Sequence, residues 1–482
     1  MRIRKLRQAG SGCLERKSGL EDTGKKIEPA AEARKGLAAI RPNVAGIDIG
    51  SRQMHVCAPA SEDGKPRLAV YGTSTGEIEK CGRWLKKLGV ESVAMESTGV
   101  YWIPVLEILE SRGFETLLVD TRPLSRVPGR KTDVVDCQWI QTLHSCGLLQ
   151  GCHRPSEGIS QLRTLVRSKA VLVAEQSDWL RRMQKCLDQM NVRVHHAVTD
   201  ISGITGLAII RAIVAGERDE NKLAELRDPN CHKSKEQIAA LLAGHWRSDH
   251  LFSLSHALKL YDVLGETMAE YEREIQQRMK QLTPPGAEGQ QAPPLKPEKR
   301  KTVRKRGQEQ KRQAQYRLLG CDLTSIDGIG VETAEAIVSE YGVDLRKFAS
   351  EKEFVAHLQL APRRPVSGGK TLKKRGRRSG TRAGRALSMA ATSLRRSSSA
   401  LGAYYRRLSR TKDASVAVFA TARKLATLIY RMIRWGQPYV DEGQAAYEER
   451  FQASRLRSLT ATAQQYGYQL IKKPILQLLD CT

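Results

Sequence analysis

Four carboxylates and a serine stand where phosphodiester chemistry would need them. Asp48 lies inside an apolar run, VAGIDIG, residues 44–50. A carboxylate in such a run is costly unless it is paired or bound to a metal. Glu96 closes a second apolar run, in MESTGVYW. Asp133 and Asp136 follow in RKTDVVDCQW. If that segment is helical, the i, i+3 spacing puts both on one face. Two acids on a helix facing two at strand positions make an all-oxygen donor set, which hard cations such as Mg²⁺ choose. Two such ions, about 3.5–4 Å apart, stabilise the attacking and leaving oxygens of a phosphodiester. Taken singly, Asp133 also suits the first turn of a helix and Glu96 the surface end of a strand. The set of four is what points to metal chemistry.

The serine is Ser367, in the turn PVSGG, with Arg363, Arg364 and Lys370 beside it. Lys373, Lys374, Arg375, Arg377, Arg378, Arg382 and Arg385 follow. A small hydroxyl in a cationic field is a candidate nucleophile toward phosphate, although serine needs activation by a metal or a base. The competing reading is an ordinary turn serine within a run that only holds phosphates. Ser379 is a second serine in the same run, also suited to a helix cap. Upstream, IDGIG places Gly328 and Gly330 just before a helical pattern. Such glycines let a phosphate approach the backbone and the free N–H groups of a helix start, as in a helix-hairpin-helix. A plain packing turn is the alternative. HSCGLLQGCH, residues 144–153, matches no standard zinc spacing. Neither a phosphate-binding Walker loop nor a dinucleotide fingerprint occurs.

These residues need elements to hold them. Three short strands, at residues 44–50, 53–58 and 68–72, read as a meander. A helix over 74–88, a strand over 91–95, a helix over 103–112 and a strand over 114–120 follow, which makes a mixed α/β domain. After Pro155 the pattern turns helical. Ile159, Leu162, Val166, Val173, Leu180, Leu187 and Met190 recur at helical intervals, as do Leu264, Met268, Tyr271, Ile275 and Met279. The spacing predicts an antiparallel helical hairpin with a smaller helical insert between about 199 and 250. It serves as a packing stalk or as a dimerisation coiled coil. The resulting division is a basic flexible arm (1–43), an α/β domain carrying the four acids (44–155) and a helical region (156–283). A basic linker (284–317), a mostly α C-terminal domain (318–440) and an amphipathic tail (441–482) complete it.

Composition narrows the partners. The chain has 482 residues, with Lys+Arg 80 against Asp+Glu 52, a formal charge of +28. A 40% hydrophobic fraction is that of a globular protein with a real core. The charge calls for a polyanion, nucleic acid before an anionic membrane surface. Aromatics at 5% exclude base stacking as the main binding device. No apolar run approaches the ~20 residues of a membrane span, and the basic N-terminus has no apolar signal core. Ten cysteines without a C-x-x-C pair suit reduced thiols in a cytosol.

The order GIDIG, MESTGVYW, KTDVVD, LRTLVR, IDGIG, APRRPVSGGK, RAGRAL and ARKLATLIYRM resembles the DEDD-type transposases of the IS110 family, over about residues 44–439. The resemblance implies a ribonuclease-H-like, RuvC-like N-terminal domain, a coiled-coil middle and a C-terminal transposase domain with the helix-hairpin-helix-like element. It implies that Asp48, Glu96, Asp133 and Asp136 form a Mg²⁺-binding tetrad. It implies that Ser367 attacks the DNA backbone to form a phosphoserine link. It implies dimers and tetramers, the tetrad of one subunit meeting the serine of another, and a structured bridge RNA that selects donor and target DNA. The arm before Val44 and the insert at 284–317 exceed what shorter family members carry, and read as added RNA-binding surface or as linker.

The physics agrees with that expectation. A covalent protein–DNA ester keeps the bond energy for rejoining, whereas attack by water loses it. A serine beside a metal site therefore suits strand exchange, and the resemblance implies a bacterial or archaeal cytoplasm, at the nucleoid. Base pairing with an RNA would also explain a basic chain without an evident groove-reading helix. The rivals are a junction-resolving nuclease that uses the tetrad alone and a non-catalytic nucleic-acid scaffold.

Overall fold

The structure is a computed structural model that describes residues 39–61, 64–96, 99–119, 133–295, 306–361, 366–367, 370–371 and 380–471. Of residues 133–135, 306, 366–367 and 370–371 it describes the backbone alone. The chain divides into two compact units, Met1–Arg154 and Pro155–Thr482.

The first unit is built on a five-stranded mixed sheet, in the order β3-β2-β1-β4-β5. Its strands are β1 (Val44–Ile49), β2 (Gln53–Ala58), β3 (Arg67–Gly72), β4 (Ser92–Glu96) and β5 (Glu115–Val119). β1, β2 and β3 form the antiparallel meander, while β4 and β5 run parallel to β1. Helices α1 (Thr75–Lys87) and α2 (Trp102–Ser111) join the parallel strands. Alternation decides the layers. Ala45, Ile47, Ile49, Met54, Val56, Val93 and Met95 turn to one face, against Ile78 and Leu85 of α1 and Leu106 and Leu109 of α2. Among the described residues, the other face is covered by one helix, α3 (Asp133–Ser145).

Glycine lets α3 lie so close. A Cβ on Gly46, at the centre of β1, would stand 2.4 Å from the Gln141 backbone nitrogen and 2.5 Å from the Cys137 carbonyl oxygen. No larger residue fits without moving the helix.

The second unit contains the helical hairpin. Helices α4 (Glu157–Gln189) and α9 (Ser248–Leu282) run antiparallel, and between them lie α5 (Val194–Ala197), α6 (Ile204–Val214), α7 (Glu220–Glu225) and α8 (Lys235–Leu242). The insert closes over its own core, with Met183, Leu187, Ile209, Ile213, Ile238 and Leu254 buried. After the hairpin the structure departs from the basic linker read over 284–317. Arg306–Leu319 is a helix, α10. Its Arg312 is buried, donating to Asp322 at 2.6 and 2.9 Å, and Gln315 donates to the Val331 carbonyl at 2.8 Å. The tertiary partners of two side chains override a composition that reads as linker. Residues 296–305 of that segment lie outside the described residues, as does the arm before residue 39.

The remaining helices are α11 (Val331–Tyr341), α12 (Glu351–His357), α13 (Arg382–Ser393), α14 (Ala400–Thr411), α15 (Ala414–Trp435) and α16 (Gly443–Gln465). They surround a core that includes Ile326, Ile337, Phe354, Leu387, Leu425 and Tyr430. α16, expected as an amphipathic tail, buries Tyr447 alone among its residues. The tail beyond Ile471 lies outside the described residues.

Candidate active site

The register of the first unit sets two of the four acids side by side. Val44 of β1 pairs with Ser92 of β4, and the ladder runs on through Ile47 and Met95. One step further sets Asp48 beside Glu96 at the carboxyl ends of neighbouring parallel strands. Residues in register across a sheet share a face, and so do residues two apart on one strand. Gly46 faces α3, so Asp48 does too. Ser92 faces α3 as well, its Oγ 2.9 Å from Nε2 of His144, so Glu96 takes the same side.

The helix runs against the strands. Gln141 donates to the Val44 carbonyl at 3.4 Å, and Cys137 lies over Gly46. Asp48 is about 6.6 Å further along the strand than Gly46. The first residue of α3 is about 6 Å back along the helix from Cys137. The start of α3, with Asp133 and Asp136, therefore lies level with Asp48 and Glu96. A charge on Asp48 reaches Cys137, whose thiol is pushed up first by burial and then by Cys57 and Asp48. Asp48, Glu96 and Asp136 are each half-buried. The Asp133 side chain lies outside the described residues.

Among the described residues, no three His, Cys, Asp or Glu side chains stand close enough to hold a metal ion. Asp48 and Glu96 carry carboxylate oxygens, the donor type a divalent ion takes, on the face that α3 covers. One neighbour has no counterpart in the sequence reading. His55 pairs with Asp48 across the β1–β2 ladder and so shares its face. The signal for it was the tight turn after Ile49, which fixes which residue of β2 lies opposite Asp48. The zinc-like segment is accounted for differently, since His144 is buried on Ser92, with its pKa lowered by burial and then by Arg41.

Ser367 lies in the second unit. Val366–Ser367 (β6) and Lys370–Thr371 (β7) pair antiparallel, Ser367 with Lys370, leaving Gly368 and Gly369 between them. Asn or Gly pairs are what a two-residue hairpin demands. The side chains of Ser367 and Lys370 lie outside the described residues, as do Arg363, Arg364, Lys373, Lys374, Arg375, Arg377, Arg378 and Ser379. Arg382 opens α13, whose N-cap Thr381 accepts from the Gly384 N–H at 3.0 Å. From Phe354 to Lys412 the sequence has sixteen Lys and Arg and no Asp or Glu. Gly328, at φ +83°, packs under Ala390 and Leu394, and Gly330 is the N-cap of α11.

A five-stranded mixed sheet with Asp48 and Glu96 on one face, followed by mostly helical regions, is consistent with a ribonuclease-H-like domain of the DEDD class. Two family models fit the chain. A DEDD transposase model of IS110 type matches residues 45–192, and the "Transposase IS116/IS110/IS902 family" model matches residues 322–406. Both matches are to transposases of the IS110 family, one over the acid-bearing region and one over the serine-bearing region. No curated protein matches it. No described helix is long and apolar enough to cross a membrane.

Proposed function

We propose that the chain is an RNA-guided recombinase that cuts and rejoins donor and target DNA through a phosphoserine intermediate. Ser367 Oγ forms a bond to a backbone phosphorus as the phosphorus–oxygen bond of the DNA breaks. The strand's hydroxyl leaves and takes up a proton. Rejoining is the reverse attack, by a hydroxyl from the partner strand, so the number of phosphodiester bonds is conserved. Asp48, Glu96, Asp133 and Asp136 are the residues that would hold Mg²⁺. When bound, the ion neutralises charge on the phosphate oxygens. The cationic segment around Ser367 binds and orients the backbone, and Gly328 and Gly330 offer it backbone N–H groups. A structured bridge RNA, paired to the DNA, selects the sites, and dimers or tetramers bring serine and tetrad together in the cytoplasm.

The observation that carries this reading is the convergence of Asp48 and Glu96 on the face where α3 begins. The test combines purified protein, Mg²⁺, an RNA transcribed from the DNA flanking the gene, and labelled duplexes of the element ends and a target. A labelled protein band on a denaturing gel is expected. Asp48→Asn should reduce it by at least about a thousandfold, and Ser367→Ala should abolish it. Free cut DNA from Ser367→Ala would instead indicate hydrolysis by the tetrad alone.

A further inference from the structure

Most of the described helices that end on a left-handed residue end on glycine. Gly89, Gly113, Gly147, Gly216 and Gly467 follow α1, α2, α3, α6 and α16 with φ between +67° and +109°. That is the residue this position favours, because it lacks a Cβ. Asn191, after α4, is the next most tolerant choice. Helix α12 ends in the same way. The Leu360 N–H returns to the Val355 carbonyl at 3.1 Å, and the left-handed residue, at φ +58°, is Gln359. A glutamine in that conformation carries backbone strain that glycine would remove, and such strain marks positions where the side chain has a task.

The task is visible in the contacts. The Gly380 N–H donates to Gln359 Oε1 at 3.0 Å. Next to it, the Thr381 hydroxyl donates to the Leu358 carbonyl at 3.1 Å. Residues 358–359 and 380–381 are thus clasped side by side, and the chain between them carries Ser367 and its cationic neighbours. Thr381 also caps α13, which extends the clasp into a rigid helix. A Cβ on Gly380 would stand 2.9 Å from Gln359 Oε1, so the amide is seated closely against this neck.

We infer that Gln359 is a positioning residue, whose amide oxygen closes the neck of the serine-bearing segment and fixes where that segment leaves the helical domain. This rests on the proposal that Ser367 is the nucleophile. Gln359 touches no reacting atom in this scheme. It acts by holding the segment's two ends in register.

The test measures the rate of protein–DNA adduct formation, affinity for the same labelled duplex, melting temperature, and hydrogen exchange at Gly380. Wild type is compared with Gln359→Gly, Gln359→Glu and Ser367→Ala in the full-length protein. Gln359→Gly relieves the left-handed strain and removes the acceptor. It should melt no lower than wild type, bind the duplex equally, exchange faster at Gly380, and form adduct roughly ten- to a hundredfold more slowly. Gln359→Glu keeps an oxygen acceptor and should recover most of the rate. A role in stability alone predicts the opposite pairing, with melting temperature and rate falling together, and that result overturns the inference. So does a Gln359→Gly protein that forms adduct at the wild-type rate. Adduct persisting in Ser367→Ala has a different signature, and overturns the serine reading beneath it.

Discussion

The two regions that carry the candidate chemistry are held in opposite ways. Asp48 and Glu96 sit on adjacent strands in the middle of a sheet, beneath a helix that Gly46 admits to backbone contact. Ser367 sits on a hairpin of two-residue strands, in a segment tied at its neck by Gln359 and Thr381. Backbone packing fixes the first, and a pair of side-chain hydrogen bonds fixes the base of the second. Under the proposed chemistry the contrast has a reason. A carboxylate set must keep its spacing to within fractions of an ångström to hold an ion. A serine esterified to DNA must travel with its strand between cutting and rejoining.

The largest effect expected on the folded state lies behind the second region. Lys169 of α4 donates to Glu272 of α9 at 2.8 Å and to Glu335 of α11 at 2.7 Å, and Lys311 of α10 joins Glu272 at 2.7 Å. Burial pushes the Glu272 carboxyl up, but the hydrogen bonds from Lys169, Lys311 and Gln276 hold it below its usual range. The side chain of Glu335 is only 4% exposed. Lys169→Met should cost about 3 kcal/mol, because a buried carboxylate loses its nearer partner and keeps only Lys311 at 3.9 Å. Lys169→Met with Glu335→Leu should recover most of that. Hydrogen exchange should rise across residues 155–471 and stay unchanged in the sheet; a uniform rise would end the claim that the two regions are supported independently. Gly46→Ala is the converse. Its methyl meets backbone on α3, for a cost of about 1–3 kcal/mol, confined to the first unit and accompanied by loss of cutting. Gly76→Ala, on α1 with nothing within 4 Å of its Cβ, is the control and should be neutral or slightly stabilising.

The two regions also differ in how far sequence announces them. The strands were legible because buried strands are unbroken apolar runs, and Asp48 stood out against one. The i, i+3 pair at Asp133 and Asp136 needed only that the segment be helical, which it is. His55 was not legible from its own neighbours, since its place depends on a pairing register. Helix α10 was hidden because RKTVRKRGQEQKRQ has the composition of a linker, and what makes part of it a helix is Arg312 finding Asp322 and Gln315 finding Val331. Gln359 gave no signal. Its backbone conformation is set by where α12 stops, and its partner is 21 residues away.

The smallest expected effect is one the two regions share. Each unit holds a histidine whose protonation is disfavoured, His144 buried in the first and His357 at the surface of the second. Burial and then Arg41 lower the pKa of His144, and burial and then Lys347 lower that of His357, whose Nδ1 lies 3.2 Å from the Tyr341 hydroxyl. Below the ordinary value of 6.5 the unfolded chain takes up a proton at each position that the folded chain refuses. Stability is therefore level above pH 6.5 and falls as the pH drops through that value, with a slope of at most about 1.4 kcal/mol per pH unit for His144 and a smaller one for the solvent-screened His357. His144→Gln should flatten this dependence in the first unit alone and His357→Gln in the second alone, as read by region-resolved hydrogen exchange between pH 7 and pH 5.5, roughly the range in which histidine titrates. If either substitution flattened both units, the acid response would be travelling between them, and the separation of a packed site from a clasped one would have to be given up.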